Sequence, residues 1–303
     1  MLSLLALTFL FSGSVQEPVQ APVPEPPVPQ RPARELKLLS FNIRYGTAQD
    51  GKNHWEMRCQ QVAELIQRTD AELVAIQEAL AFQVDFLLQK LPRYQALGQH
   101  REGGRRGEFC GWLVDRERFQ VESHGEFWLS PKPDEIGSKG WDAALPRMAV
   151  WAVLLERRSG SRFAVMGTHF DHRGKQARKE SAALIVERWQ RDFAGLPFLL
   201  AGDLNATEQE APLKILLKAG LQDGFRKLHP KEKAGGTFHG FRGGRDGRRI
   251  DFILADRSWD FLQVEVLRDH QEGRYPSDHY PVLARLSLGL GDREKREDRP
   301  AIR

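Results

Sequence analysis

Ionisable and amide side chains follow apolar, strand-like segments at several places along the chain. Asn42 interrupts one apolar run, Glu78 comes directly after Leu73–Gln77, and Asp203 follows Phe198–Ala201. Placing such groups inside a protein is costly unless they are paired or bind a metal. A single polar residue of this kind would be interpreted as a helix cap, a turn residue or a hydrogen-bonded core histidine. Several together favour a shared site, because strand ends in α/β folds converge on a crevice. The full set is Asn42, Glu78, His169, Asp203, Asn205, Asp251, Asp278 and His279.

The chemical character of this set indicates metal-assisted chemistry on a phosphate ester. Carboxylate and amide oxygens without thiolates favour Mg²⁺ or Mn²⁺ over zinc, and Mg²⁺ is typically held by carboxylates, water and substrate phosphate. His169 and His279 each stand near an aspartate and could donate hydrogen bonds to phosphoryl oxygens, where charge develops. Cys59 and Cys110 have no cysteine or histidine nearby at zinc-ligand spacing, and the sequence leaves open whether they form a disulfide.

The elements that must position these residues alternate between strand-like and helix-like patterns. Consecutive strands favour antiparallel neighbours, whereas strand–helix–strand stretches permit parallel ones, so a single α/β domain with a mixed sheet is predicted. The predicted strands are Leu36–Ile43, Leu73–Gln77, Phe109–Val114, Phe119–His124, Ala149–Leu155, Phe163–Thr168, Phe198–Ala201, Ile250–Ala255, Phe261–Leu267 and Tyr280–Leu286. The predicted helices are Glu56–Arg68, Phe82–Lys90, Lys175–Arg191 and Pro212–Ala219.

The two ends of the chain differ from this pattern. Residues 1–17 contain an apolar run that is too short to span a bilayer, which needs about 20 apolar residues. They resemble a secretory signal that lacks a basic start. Residues 18–35 include seven prolines and predict a linker. Residues 289–303 predict a charged tail, which leaves a domain at 36–288. The protein is exported, to the periplasm or the medium, if the first segment is a signal, and is otherwise cytoplasmic.

Six short motifs resemble those of the endonuclease/exonuclease/phosphatase superfamily, which has a deoxyribonuclease-I-like fold. They occur in family order between Leu36 and Leu286. The resemblance implies an α/β four-layer sandwich, in which two packed mixed β-sheets are flanked by helices. The motifs are SFNIRYG (40–46), LVAIQE (73–78), THFDH (168–172), AGDLNA (201–206), RIDFIL (249–254) and SDHYPV (277–282).

The resemblance also implies a role for each acidic and amide residue. Glu78 resembles the principal metal ligand, and Asp278 a second or water-mediated ligand. Asn42 resembles an amide that helps to set the metal and the substrate phosphate. Asp203 matches the residue that orients or deprotonates the attacking water, and Asn205 the amide that holds a phosphate oxygen.

Both histidines are implied to face the phosphate. His279 matches the histidine that contacts the scissile phosphate, with Asp251 fixing and charging its ring. His169 resembles a second phosphate-side histidine and is a candidate acid for the leaving group. Which histidine supplies the proton is left open.

Two further segments are similar to parts of a subgroup of the family. Arg147 matches an arginine near the substrate phosphate, and a solvated arginine at a strand start is the alternative. Gly236–Phe241 resembles the GTFHGF loop of secreted bacterial members. Phe238 in this loop could stack on a base, or pack within the loop.

The predicted function is hydrolysis of a phosphodiester by in-line attack of water polarised by Asp203, with Mg²⁺ as cofactor or Mn²⁺ as the alternative. Nucleic acid is the leading substrate, because no long apolar insertion is suited to lipid. The basic loops Arg101–Arg106 and Arg242–Arg249 would add affinity for a polyanion if they border the cleft. The alternatives are a sugar phosphate, an inositol phosphate or a sphingomyelin-like lipid, and, in another class, a non-catalytic phosphate-binding protein. No stable membrane span is expected, and no protein partner can be inferred.

Overall fold

The computed structural model of the protein describes residues 35–232 and 235–289. The predicted signal at 1–17, the predicted linker apart from Glu35, and the predicted tail beyond Gly289 lie outside the described residues.

The described residues form strands and helices that agree closely with the predicted pattern. The strands are β1 (Glu35–Asn42), β2 (Leu73–Ala79), β3 (Tyr94–His100), β4 (Phe109–Asp115), β5 (Phe119–Trp128), β6 (Met148–Glu156), β7 (Arg162–His169), β8 (Phe198–Asp203), β9 (Gln222–Asp223), β10 (Asp251–Ala255), β11 (Trp259–Val266) and β12 (Val282–Leu288). The helices are α1 (Trp55–Thr69), α2 (Ala81–Lys90), α3 (Lys175–Asp192), α4 (Ala211–Lys218) and α5 (Gly224–Leu228), with a 3₁₀ turn at Gly51–Asn53.

The strands form two six-stranded sheets. The first has the order β11-β12-β1-β2-β4-β3, and the second has the order β5-β6-β7-β8-β10-β9. Each sheet contains one parallel pair, β1 with β2 and β7 with β8, and its other pairs are antiparallel. Parallel strands need a crossover connection. Here α1 and α3 provide it.

Three apolar layers hold the sheets and helices together. Alternate residues of a strand point to opposite faces. Leu38 of β1 therefore lies between the sheets with Trp112 and Val150. Its neighbour Leu39 packs on the outer face with Ile66 of α1. The outer face of the second sheet is covered in the same way, and there Phe198, Ile185 and Leu216 pack together. The predicted four-layer α/β sandwich is confirmed.

Three elements were not predicted from the sequence. The strand β3 contains Gly98 and two glutamines and shows no apolar alternation. It is nevertheless stable as an edge strand, because all seven of its residues are in register with β4. The other two, β9 and α5, are only two and five residues long.

Cys59 and Cys110 are both free, so no disulfide joins them. Among the described residues, no helix is both long and apolar enough to cross a membrane.

Candidate functional site

Strand direction brings the candidate residues of the first sheet to one edge. Asn42 and Glu78 lie at the C-terminal ends of the parallel strands β1 and β2. The strand β12 runs antiparallel to β1, so its N-terminal end lies at the same edge. The segment that leads into β12 carries Asp278 and His279.

The second sheet repeats this arrangement with different residues. His169 and Asp203 end the parallel strands β7 and β8, and they are register partners. Asp251 begins β10, which is antiparallel to β8, and it pairs with Asp203. All three side chains are buried.

The Asn42 side chain connects the two sheets at this edge. Its Nδ2 atom donates to Glu78 Oε1 at 3.0 Å and to Asp203 Oδ2 at 3.1 Å. Its oxygen accepts the Arg44 N–H at 3.1 Å. Asn42 thus bridges two carboxylates, while its Oδ1 atom, which could bind a metal, already accepts a hydrogen bond from Arg44.

Two site residues have a strained backbone. Glu78 has a φ of 66° and Asn205 a φ of 46°, a region that residues other than glycine rarely adopt. Around Glu78 the register of β2 with β4 shifts between Ile76 and Ala79. Strain of this kind costs about 1–3 kcal/mol per residue and concentrates at functional sites. At Asn205 it allows the backbone N–H to donate to Asp203 Oδ1 at 2.8 Å.

His279 and Asp251 form a buried pair. His279 Nδ1 lies 2.9 Å from Asp251 Oδ2, and its Nε2 lies 4.0 Å from Asp203 Oδ2. Burial by itself would lower the pKa of His279, but the neighbouring Asp251 carboxylate raises it well above its usual value. The geometry and the charges favour an imidazolium whose Nδ1–H is held by Asp251, with Nε2 free to face a substrate.

Asp203 is suited to accept a proton. Burial, followed by the nearby Asp251 carboxylate, raises the pKa of Asp203 to about 7. A carboxylate with such a pKa is a better base near neutral pH than an exposed aspartate.

Four carboxylates converge at the site around the buried His279. Asp203, Asp251 and Asp278 are buried, and Glu78 is half-buried. Burial, then the proximity of Glu78, raises the pKa of Asp278, although the nearby His279 opposes this. Oxygen ligands in this number fit a hard divalent cation. Glu78 and Asp278 form one candidate position for it. Ligand atoms of Asp203, Asp251 and His279 also lie within 4.8 Å of one another. They do not form a second position while His279 is an imidazolium, because a protonated ring nitrogen has no lone pair for a metal.

His169 is packed between the site and a charged cluster. Its Nε2 lies 3.5 Å from Asp203 Oδ2 and 3.2 Å from Asn205 Nδ2. On the other side of the ring, Nδ1 lies 2.8 Å from Arg147 Nη1. Burial, and then the positive charges of Arg147 and Arg101, lower the pKa of His169 well below its usual value.

Arg147 is 6% exposed at its side chain and contacts the far side of the His169 ring. It also lies 3.3 Å from Glu108 Oε2 and 3.3 Å from His172 Nδ1. Arg147 and Glu108 approach the ring at Nδ1, whereas Asp203 lies on the Nε2 side.

The GTFHGF loop packs beneath the Asp251–His279 pair. Thr237 Oγ1 accepts the N–H of Ile250 at 3.0 Å and of Asp251 at 3.2 Å. The half-buried Phe238 ring contacts the His279 ring edge-on, with centroids 5.0 Å apart. In this position Phe238 supports His279.

Sequence reasoning missed several residues that hold the site together. Glu108 precedes β4 at the end of a polar loop, a position that suggests exposure, yet its side chain is only 13% exposed. Burial, then the Glu78 charge, raises the pKa of Glu108 to about 7. Arg58 lies on the amphipathic helix α1, where an arginine would be expected on the solvent-exposed face, yet it is only 3% exposed.

Arg58 and Asp171 organise the loops around the site through backbone contacts. The Arg58 guanidinium donates to the carbonyl oxygens of Ile43, Arg44, Asn53 and Pro276 at 2.6–3.0 Å. Burial lowers the pKa of Arg58 to about 10. The Asp171 carboxylate accepts four backbone N–H groups at 2.7–3.1 Å, from Ala144, Leu145, Arg173 and Gly174.

Comparison with known proteins agrees with this architecture. A solved endonuclease/exonuclease/phosphatase from Bacteroides vulgatus is 30% identical, with a TM-score of 0.78 over 84% of this chain and 99% of that one. A mannosyl-6-phosphatase from Bacteroides thetaiotaomicron is 31% identical, with a TM-score of 0.77 over 84% of this chain and all (100%) of that one. The human nocturnin catalytic domain shares the fold at 18% identity, with a TM-score of 0.70 over 84% of this chain and 95% of that one.

The search of curated proteins found no match to this sequence. The model of the endonuclease/exonuclease/phosphatase family, in contrast, matches residues 39–279, which include all the candidate residues described above. The chain belongs to the endonuclease/exonuclease/phosphatase family.

Proposed function

We propose that this protein hydrolyses a phosphate ester of a small molecule with the help of Mg²⁺, with Mn²⁺ as the alternative ion. The observation that carries the proposal is the Asn42 bridge. It holds Glu78 and Asp203, one from each sheet, within hydrogen-bonding distance of a single amide nitrogen. A metal-binding carboxylate and a basic carboxylate are thereby kept side by side.

Glu78 and Asp278 are the residues that we expect to hold the metal. When bound there, a divalent cation supplies positive charge next to the phosphoryl and leaving oxygens. The Glu78 carboxylate is already oriented by Asn42 Nδ2 at 3.0 Å and by the Tyr45 N–H at 3.2 Å.

The remaining steps fall to side chains of the two sheets. Asp203 accepts a proton from the attacking water, and the Asn205 N–H fixes the carboxylate for this at 2.8 Å. Asn205 and His169 donate hydrogen bonds to a phosphoryl oxygen. His279 donates a proton towards the leaving group from Nε2, while Asp251 holds its Nδ1. No covalent intermediate with the protein is expected.

A small phosphorylated substrate is favoured over nucleic acid because three arginines of the basic loops form ion pairs within the protein. Arg101 pairs with Glu108 at 2.6 Å, Arg105 with Asp85 at 2.5 Å, and Arg249 with Asp223 at 2.6 Å. Cations that are neutralised within the protein contribute less to binding a polyanion.

The mannosyl-6-phosphatase of 31% identity adds support for a phosphorylated sugar. Nucleic acid, the leading substrate from the sequence alone, remains the second candidate, because Arg248 lies at the surface beside Asn205, with Nη2 3.4 Å from its carbonyl oxygen.

The full-length protein should be assayed with Mg²⁺ on hexose 6-phosphates, bis-p-nitrophenyl phosphate, single-stranded DNA and RNA. We expect the highest kcat/KM on a sugar phosphate. Asp203→Asn should lower kcat by about 10²–10⁴-fold, whereas Asp260→Asn, an exposed aspartate on β11, should leave it unchanged. Faster cleavage of an oligonucleotide would reverse the choice of substrate, and undiminished turnover by Asp203→Asn would remove the assigned base.

A further inference from the structure

Arg147 and His169 are in direct contact behind the site, and the chemistry of the two groups fixes which atom donates. Arginine carries only donors and stays cationic throughout the accessible pH range. Its Nη1 lies 2.8 Å from His169 Nδ1. The Nδ1 atom must therefore accept the hydrogen bond. A neutral ring that accepts at Nδ1 carries its proton on Nε2.

The Arg147 side chain is held in place from several directions. Its Nη1 also lies 3.3 Å from Glu108 Oε2, its Nη2 lies 3.3 Å from His172 Nδ1, and its Nε lies 3.9 Å from Asp171 Oδ2. Glu108 in turn accepts from Arg101 at 2.6 Å. A buried guanidinium with the Glu108 and Asp171 carboxyl groups on two sides has little freedom to rotate away from the His169 ring.

The opposite side of the ring faces the reacting groups. Asn205 Nδ2 donates to the Phe170 carbonyl oxygen at 3.0 Å, which fixes the NH₂ group on the side of His169. His169 Nε2 is 3.2 Å from that nitrogen. With a proton on Nε2, His169 Nε2 and Asn205 Nδ2 are both hydrogen-bond donors, so they cannot form a hydrogen bond with each other. Two adjacent donors beside Asp203 are suited to one anionic oxygen.

We propose that Arg147 is a positioning residue that locks His169 in the Nε2–H tautomer, making the ring a neutral hydrogen-bond donor to the phosphoryl group. This inference rests on the proposed function for its catalytic consequence, but the tautomer itself does not depend on it. Arg147 acts through His169, and its guanidinium does not bind the substrate.

If Arg147 holds His169 in this tautomer, His169 and His279 have different roles. A neutral imidazole with its only proton on Nε2 would become an imidazolate if it gave that proton away, so His169 does not protonate the leaving group. That step is left to His279. Burial and the adjacent Arg147 and Arg101 charges, which lower the pKa of His169, agree with a neutral ring.

A second buried histidine provides an internal reference. His100 Nδ1 lies 3.0 Å from the Gly107 carbonyl oxygen, which can only accept. His100 must therefore carry its proton on Nδ1. The two rings should have opposite tautomers in the same protein.

The tautomers can be measured by NMR on the full-length protein labelled with ¹⁵N-histidine, with signals assigned by His169→Gln and His100→Gln. We expect His169 to be protonated on Nε2 and His100 on Nδ1. In Arg147→Met the His169 ring should become a mixture of tautomers, while His100 is unchanged. Arg147→Lys keeps one donor and should restore most of the Nε2–H form. A His169 ring protonated on Nδ1, or one unaffected by Arg147→Met, would show that Arg147 does not determine the tautomer of His169.

Kinetics separate this role from direct substrate binding. Arg147→Met should lower kcat by about 10²-fold, as expected for a misplaced catalytic group, with little change in KM. In the His169→Gln background the same substitution should have almost no further effect. A raised KM, or an equal loss in both backgrounds, would mean that Arg147 contacts the substrate itself. If the wild-type protein cleaves no phosphate ester, the proposed function fails, but the NMR result still decides the tautomer.

Discussion

Asp251 lies directly opposite Asp203 in the register of β10 with β8, so two buried carboxylates occupy neighbouring positions on adjacent strands. They have different hydrogen-bond partners. Asp251 is paired with His279 at 2.9 Å, whereas Asp203 accepts from Asn42 Nδ2 at 3.1 Å and from the Asn205 N–H at 2.8 Å. One carboxylate thus stabilises an imidazolium, and the other keeps a raised pKa of about 7 and can act as a base.

Replacing Asn42 should damage both stability and activity. In Asn42→Ala, Glu78 Oε1 and Asp203 Oδ2 both lose the donor that now lies at 3.0–3.1 Å. Leaving the buried Asp203 and the half-buried Glu78 without this donor should reduce the free energy of unfolding by about 1–3 kcal/mol, as measured by urea denaturation. The kcat should fall by about 10²-fold, because the carboxylates are no longer held together. Asn53→Ala, in the 3₁₀ turn, is the control, and equal effects of the two substitutions would argue against the bridge.

Arg58 should be a major source of stability for the site loops. Arg58→Met leaves four backbone carbonyls without the guanidinium that now donates to them at 2.6–3.0 Å. The free energy of unfolding should fall by at least about 3 kcal/mol. Arg68→Met on the same helix removes an exposed pair with Asp269 at 2.7 Å, and should cost less than about 1 kcal/mol. Similar midpoints of urea unfolding for both variants would contradict the role assigned to Arg58.

The Thr237 hydroxyl should matter for the position of Asp251. Thr237→Val keeps the side-chain shape but removes the oxygen that accepts the N–H of Ile250 and of Asp251 at 3.0 and 3.2 Å. We expect a loss of about 1–3 kcal/mol in the free energy of unfolding together with a lower kcat. Thr47→Val, at an exposed position, tests the effect of the chemical change alone. An unchanged kcat in Thr237→Val would show that Asp251 does not depend on this loop.

Asp171 should make the stability of the protein depend on pH. Burial would raise the pKa of Asp171, but hydrogen bonds from the Gly174, Arg173, Ala144 and Leu145 N–H groups lower it overall. A lowered folded-state pKa stabilises the protein above the unfolded value of about 3.9, and this contribution disappears as the pH falls through the folded-state pKa.

Asp171→Asn should therefore be less stable than wild type by about 2 kcal/mol near neutral pH, and the difference should shrink below about pH 4. Urea unfolding from about pH 3 to about pH 7 measures this difference. Asp246→Asn, at an exposed position, should show no such trend. A constant difference between wild type and Asp171→Asn across this range would contradict the assignment.

Much of the fold followed from the sequence because apolar runs and helical patterns agree with burial. The convergence of Asn42, Glu78 and Asp203 also followed, since strand direction determines which ends meet at one edge. What could not be predicted depends on contacts between distant segments. The contact of Arg147 with His169 Nδ1 was not predicted, because it depends on the pairing of β6, which follows Arg147, with β7, which ends at His169.

The burial of charged residues outside the strands was equally difficult to predict from the sequence. Glu108 follows a glycine- and arginine-rich loop, and Arg58 lies on an amphipathic helix, positions that both suggest exposure. Their burial depends on partners 39 residues away at Arg147 and 218 residues away at Pro276. Local sequence patterns carry no information about such partners.

Phosphate ester hydrolysis should depend on a divalent cation held by Glu78, and a metal titration tests this dependence most directly. Phosphate release should be measured after EDTA treatment, as Mg²⁺ is added back, for wild type and for Glu78→Gln. We expect no release in EDTA, full recovery with Mg²⁺ in the wild type, and a half-maximal Mg²⁺ concentration at least about tenfold higher in Glu78→Gln. Full turnover in EDTA, or the same Mg²⁺ dependence in both proteins, would contradict this dependence on a cation held by Glu78.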